Sequence, residues 1–134
     1  VLPDDGDMNR VLPLEETVVV VEDEPETAEM IAEMIRLSGF QAVKSMGGKT
    51  ALSLIMNSSP AAVILDMMMP DLSGLDVLRL MRRDPRLVHI PVIVVSARSR
   101  PEDIKEGLEA GATAYLTKPV TYKDLKATVQ KVLS

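Results

Sequence analysis

Five residues of this chain have side chains suited to phosphoryl chemistry, and each follows a short apolar run. Val18 to Val21 ends at Glu22-Asp23, Val63 to Leu65 at Asp66, and Val92 to Val95 at Ser96. Ala114 to Leu116 leads, past Thr117, to Lys118-Pro119. Three carboxylates, a hydroxyl and an ammonium are what a divalent cation and a phosphoryl group require. An aspartate beside a hard cation and a lysine is a nucleophile for phosphoryl transfer, and its product is an acyl phosphate. The two positive groups would neutralise charge on the transferring oxygens, and the Ser96 hydroxyl could donate to one of them.

That chemistry requires residues nearly 100 positions apart to meet. Short apolar runs of this kind read as fully buried parallel strands. In an open parallel sheet the C-terminal strand ends share one edge, and ligands bind there. From Glu16 onward strand and helix patterns alternate five times. The strands are expected at Thr17–Val21, Gln41–Ser45, Ala62–Asp66, Ile90–Val95 and Ala112–Leu116.

The helix signals are specific. Pro25 suits a first helical turn, and Gly39 suits the stop. A second helix is expected over 49–57, ended by Asn57-Ser58-Ser59-Pro60. Ser73-x-x-Asp76, Ser99-x-x-Glu102 and Thr121-x-x-Asp124 predict capped starts for the last three helices, with Gly111 stopping the fourth. Strands alternating with helices imply right-handed βαβ units. The expected fold is α/β, a five-stranded parallel sheet in the flavodoxin-like order 2-1-3-4-5 with helices on both faces. That order makes the first and third strands neighbours, so Glu22, Asp23 and Asp66 meet. At about 4 Å and an effective dielectric near 20, each carboxylate pair repels by roughly 4 kcal/mol. Mg2+, or Mn2+ in its place, together with Lys118, would offset this.

Bulk properties narrow the function classes. The chain has 134 residues, enough for one domain with a real core, and 46% hydrophobic content. Net charge is −5, but residues 1–16 hold five acids against Arg10, so the rest is at −1. A near-neutral body gives no footprint for direct nucleic-acid binding. The absence of cysteine excludes disulfides and thiolate metal sites, and favours a cytoplasmic setting. No apolar run reaches the roughly 20 residues of a membrane span. Residues 1–15 read as a flexible arm, or as a remnant foreign to the native chain, ahead of a domain over 16–134. Gly47-Gly48-Lys49-Thr50 has the ending of a phosphate-binding P-loop but lacks the earlier glycine, and is rejected as one.

Four segments carry a resemblance. They are Val-Val-Val-Glu22-Asp23-Glu24-Pro25; Ile-Leu-Asp66-Met-Met-Met-Pro70-Asp-Leu-Ser-Gly74; Val-Val-Ser96-Ala97; and Gly111-Ala-Thr-Ala-Tyr115-Leu-Thr-Lys118-Pro119. In this order and spacing the chain resembles the receiver domain of two-component response regulators, over residues 17–133.

The resemblance implies a CheY-like fold in which Asp66 accepts phosphate from a sensor histidine kinase, a phosphotransfer domain or a small phosphodonor. It implies Mg2+ on Asp23 directly, on Glu22 through water, and on Asp66 and the Met68 backbone carbonyl. Ser96 and Lys118 would contact the phosphoryl group, and the Lys118-Pro119 bond would be cis. Ser96 and Tyr115 would move together and repack the surface of the fourth helix, fifth strand and fifth helix, where a homodimer could form. Such a chain is a signalling phosphoacceptor rather than an enzyme with its own substrate.

Three other readings fit less well. A constitutive interaction module would not need the complete site. A haloacid-dehalogenase-type phosphatase wants an aspartate where Met68 stands. A flavodoxin would not place the acidic Glu22-Asp23-Glu24 loop against a flavin phosphate. Glu22 stands where aspartate is commoner in the family, and Val120 where an aromatic often follows.

Overall fold

A computed structural model describes residues 16–134; the arm expected at 1–15 lies outside them. The elements run β1 (Thr17–Val21), α1 (Pro25–Leu37), β2 (Gln41–Ser45), α2 (Gly48–Ser58), β3 (Ala62–Asp66), α3 (Gly74–Arg83), β4 (Val92–Ser96), α4 (Pro101–Glu109), β5 (Ala114–Thr117) and α5 (Tyr122–Leu133). All neighbouring strands are parallel, in the order β2-β1-β3-β4-β5. This is the architecture expected from the alternating pattern.

The apolar runs are continuous because both sheet faces are covered. Val19, Val21, Val63, Leu65 and Val94 face the side packed by Ala51 and Ile55 of α2 and Val77, Leu78 and Met81 of α3. Val18, Val20, Ile64, Ile93 and Val95 face Ile31 and Ile35 of α1 and Leu125 and Val129 of α5. Side chains alternate faces along a strand, so β1, β3 and β4 need apolar residues at every position. Polar residues enter only where the strands leave the sheet, which is why the chemistry collects at that edge.

Capping follows the sequence at α3 and α5: Ser73 accepts the Asp76 amide and Thr121 the Asp124 amide. At α1 the cap is Glu24, which accepts the Thr27 amide at 2.8 Å. At α4 the expected Ser99 cap does not form. Arg100 is the N-cap, without a side-chain bond, and its guanidinium instead reaches Asp103 at 3.4 Å and Glu102 at 3.8 Å. A charge pair across the first turn replaces the hydroxyl cap. β4 starts at Val92 rather than Ile90, because Ile90 still bonds back to Leu87 in the preceding turn. β5 is likewise shifted two residues onward at its start.

Gly74 opens α3 hard against the end of β3. A Cβ there would lie 2.1 Å from the Asp66 carbonyl oxygen and 2.7 Å from the Met67 Cα. Both are backbone atoms, so nothing can rotate aside. Gly74→Ala is expected to destabilise the fold by about 2–3 kcal/mol through overpacking, as measured by urea unfolding. A melt unchanged from the wild type would contradict this close approach.

Candidate phosphoacceptor and metal site

β1 and β3 are adjacent in register, with Val21 opposite Leu65. The residues that follow therefore leave the sheet side by side. Glu22 is 2% exposed and Asp66 4%, and both lie at the buried floor; Asp23 is half-buried above them. One carboxylate oxygen from each of Glu22, Asp23 and Asp66 lies within 4.8 Å of the others. The order 2-1-3-4-5 thus brings together the three acids that the strand ends singled out.

Lys118 arrives from the far side of β4, just after β5. Its Nζ lies 2.8 Å from Glu22 Oε1 and 3.6 Å from Asp66 Oδ1. Its backbone amide donates to the Ser96 carbonyl at 2.8 Å, which ties the end of β5 to the end of β4. The Lys118-Pro119 peptide bond is cis. Ser96 is fully buried, and its Oγ accepts the Arg98 amide at 3.1 Å. The Asp66 Oδ1 accepts the Met68 amide at 3.3 Å, so the loop after β3 folds back onto the acid that precedes it. Tyr115 is half-buried; its hydroxyl donates to the Arg98 carbonyl at 2.9 Å.

The charges explain the titration behaviour. Burial pushes the Glu22 carboxyl above its usual range, the Lys118 hydrogen bond pulls it down, and the Asp66 charge pushes it up again, for a net rise. Burial alone would lower the Lys118 ammonium, but its bond to Glu22 and the charges of Asp66 and Glu22 outweigh burial and raise it. Formally, three negative charges face one positive charge, leaving two negative charges uncompensated. All the side-chain donors are carboxylate oxygens, the ligand type of hard divalent cations. The residues present therefore fit a divalent cation in charge and in chemistry.

Two groups at this edge escape sequence reasoning. Glu24 caps α1 while its amide donates to Glu22 Oε2 at 3.2 Å, which orients the buried acid. Asp71 reaches from the loop after β3 to the start of α2. Among the described residues no helix is long and apolar enough to cross a membrane.

Comparison with known proteins agrees with this geometry. The family model of the response regulator receiver domain matches residues 18–130. Among curated relatives, the phosphate regulon transcriptional regulatory protein PhoB of Pseudomonas aeruginosa is 33% identical over 87% of this chain and 51% of its own length. The probable transcriptional regulatory protein TcrX of Mycobacterium tuberculosis is 37% identical over 87% of this chain and 49% of its own. The chain thus spans about half the length of these relatives.

Among solved structures, the chemotaxis protein CheY4 of Vibrio cholerae superposes with a TM-score of 0.84 at 25% identity, covering 90% of this chain and all of that one. The receiver domain of the sensor histidine kinase PA1611 of Pseudomonas aeruginosa, which has a magnesium ion coordinated in its active-site cleft, gives 0.82 at 25% identity over 90% of this chain and 98% of its own. With the match running from the first strand into the last helix, and the same fold in proteins of that kind, this chain belongs to the response regulator receiver domain family of two-component signalling.

Proposed function

We propose that this domain is a Mg2+-dependent phosphoacceptor in which Asp66 takes a phosphoryl group from a sensor histidine kinase, a phosphotransfer domain or a small acyl phosphate. The observation that carries this reading is the cluster itself: a buried Asp66 with two further carboxylates and one ammonium in reach. Glu22, Asp23, Asp66 and the Met68 backbone carbonyl would hold Mg2+, or Mn2+. When bound, the cation would offset repulsion between the carboxylates and the incoming phosphoryl oxygens.

An Asp66 carboxylate oxygen attacks phosphorus as the bond from phosphorus to the donor imidazole nitrogen, or to the donor acyl oxygen, breaks. The leaving group departs with that electron pair, and an acyl phosphate remains on Asp66. Lys118 neutralises a phosphoryl oxygen from its position beside Oδ1. Ser96 already accepts the Arg98 amide, so its own proton is free to be given to a second phosphoryl oxygen. These new charge-assisted bonds would bias the Ser96–Tyr115 pair toward a second arrangement and alter the α4–β5–α5 surface.

That surface, with Leu108 45% exposed on α4, would carry the output or a homodimer. The chemistry is self-phosphorylation and self-dephosphorylation of a signalling protein rather than turnover of a separate substrate. The reading places the domain in the cytoplasm, with no direct nucleic-acid contact of its own.

Amide NMR tests this reading. Addition of Mg2+ with acetyl phosphate or beryllofluoride should shift resonances around Ser96, Tyr115 and α5. The absence of any metal-dependent response would overturn it.

A further inference from the structure

The β2–α2 turn contributes no residue to the site, yet it is built with unusual care. Gly47 and Gly48 stand at the start of α2, where the N-cap residue Gly47 has no side chain to offer the free amides. A carboxylate from elsewhere fills that role. Asp71 Oδ1 accepts the Gly48 amide at 3.1 Å, and Oδ2 accepts the Lys49 amide at 3.1 Å. The same Oδ1 accepts the Leu72 amide at 2.8 Å, which curls the loop around its own carboxylate. The amides of Lys49, Gly48 and Leu72, in that order of effect, hold the Asp71 carboxyl below its ordinary range. An anion at a helix N-terminus also gains from the helix dipole.

The glycines follow from this contact. A Cβ on Gly47 would lie 2.9 Å from Asp71 Oδ2, and one on Gly48 would lie 2.4 Å from the Leu72 carbonyl oxygen. The loop after β3 is seated directly on the turn. The Gly-Gly-Lys-Thr run that ends like a P-loop therefore serves an internal carboxylate.

The turn is anchored in its own right. Ser45 is buried, and its hydroxyl donates to the Gly47 carbonyl at 2.9 Å and shares a 2.9 Å bond with the Thr50 hydroxyl. The Ser45 carbonyl accepts the Glu22 amide at 3.0 Å. A continuous strut thus runs from Glu22 at the end of β1, through Ser45 and the glycine turn, to Asp71. From Asp71 it is three residues back to Met68, whose amide touches Asp66. The loop is also held by the Gly74 amide, which donates to the Met67 carbonyl at 3.1 Å, and by Met69, which is buried in the core.

We propose that Asp71 is a positioning residue for the metal site, holding the β3–α3 loop, and with it the Met68 carbonyl, at a fixed distance from the acids of β1. This rests on the Mg2+ reading given above. Asp71 is not one of the clustered acids; it would act through the loop, as outer-shell partners of metal ligands do.

The test is a titration of the whole chain with Mg2+ alone, followed by amide NMR without any phosphodonor, alongside urea melts without metal. Asp71→Ala should weaken Mg2+ binding about 10-fold, the lower end of the effect of removing an outer-shell partner. Asp71→Asn keeps an acceptor oxygen but not the charge, and should fall between. Should Asp71→Ala not stay folded, Gly48→Ala attacks the contact from the other side with Asp71 intact, and should weaken binding likewise. A helix cap and nothing more would give an earlier melt with a Mg2+ dissociation constant within about twofold of wild type, and that result overturns the proposal. Failure of wild type to bind Mg2+ at all is a distinct result, and removes the metal reading itself.

Discussion

Asp66→Asn is expected to abolish phosphorylation while leaving the fold intact. Asparagine has nearly the shape of aspartate, so it can keep the packing of a side chain that is 4% exposed at the end of β3. Its Oδ1 can still accept the Met68 amide, now at 3.3 Å. Its amide, however, is no nucleophile toward phosphorus. Of its two acidic neighbours, Glu22 is held by Lys118 and by the Glu24 amide, and Asp23 would be held on the cation in the proposed function. Incubation with Mg2+ and acetyl phosphate, followed by intact-mass measurement, should show a phosphoryl adduct on wild type that hydroxylamine removes, as an acyl phosphate requires. The variant should show none. Removing one of three clustered negative charges also relieves repulsion, each pair of which is worth roughly 4 kcal/mol at about 4 Å and an effective dielectric near 20. The variant should therefore melt no earlier than wild type in the absence of metal. An adduct of undiminished yield on Asp66→Asn would move the phosphoacceptor to another residue.

The parts of this molecule that are legible in its sequence are those where one local rule decides. β1, β3 and β4 are buried on both faces, so their apolar runs are unbroken and end where the sheet ends. The acids, the serine and the lysine stand out because nothing polar precedes them. Pro25, Gly39, Ser73 and Thr121 punctuate helices by backbone geometry or by a hydrogen bond spanning three residues. What escapes is set by contacts between distant loops. Asp71 looks like an ordinary turn acid until β3 is placed beside β1, which brings its loop onto a glycine turn 23 residues earlier. Arg82 looks like a surface charge at the end of α3. In the structure it donates to the carbonyls of Gly111, Val88 and Ile90, pinning two turns at once. Ser99 shows the converse, since its capping pattern is present and a charge pair takes the first turn instead.

Lys118→Ala should separate the two roles of the lysine, one in the resting domain and one in the switch. In the resting domain its ammonium is the cation in contact with both Glu22 and Asp66. Truncation leaves a carboxylate that is 2% exposed without that partner. Breaking a fully buried pair from one side costs about 3–5 kcal/mol. The Lys118 side chain is 26% exposed, and Glu22 can relieve part of the strain by taking up a proton, so a loss of about 2 kcal/mol is the expected scale. That loss has a signature, because a divalent cation satisfies the same acids. Saturating Mg2+ should restore much of it, and raise the midpoint of urea unfolding more for the variant than for wild type. A ligand at 100 times its dissociation constant stabilises by about 2.7 kcal/mol, so the two effects are of comparable size. The variant should still bind Mg2+ and accept a phosphoryl group slowly, yet the shifts around Ser96, Tyr115 and α5 should shrink, since the ammonium proposed to contact the phosphoryl oxygen is gone. Normal propagation to α5 in Lys118→Ala would show that Ser96 alone drives the switch. Equal destabilisation with and without Mg2+ would mean that the lysine supports the fold through packing rather than charge.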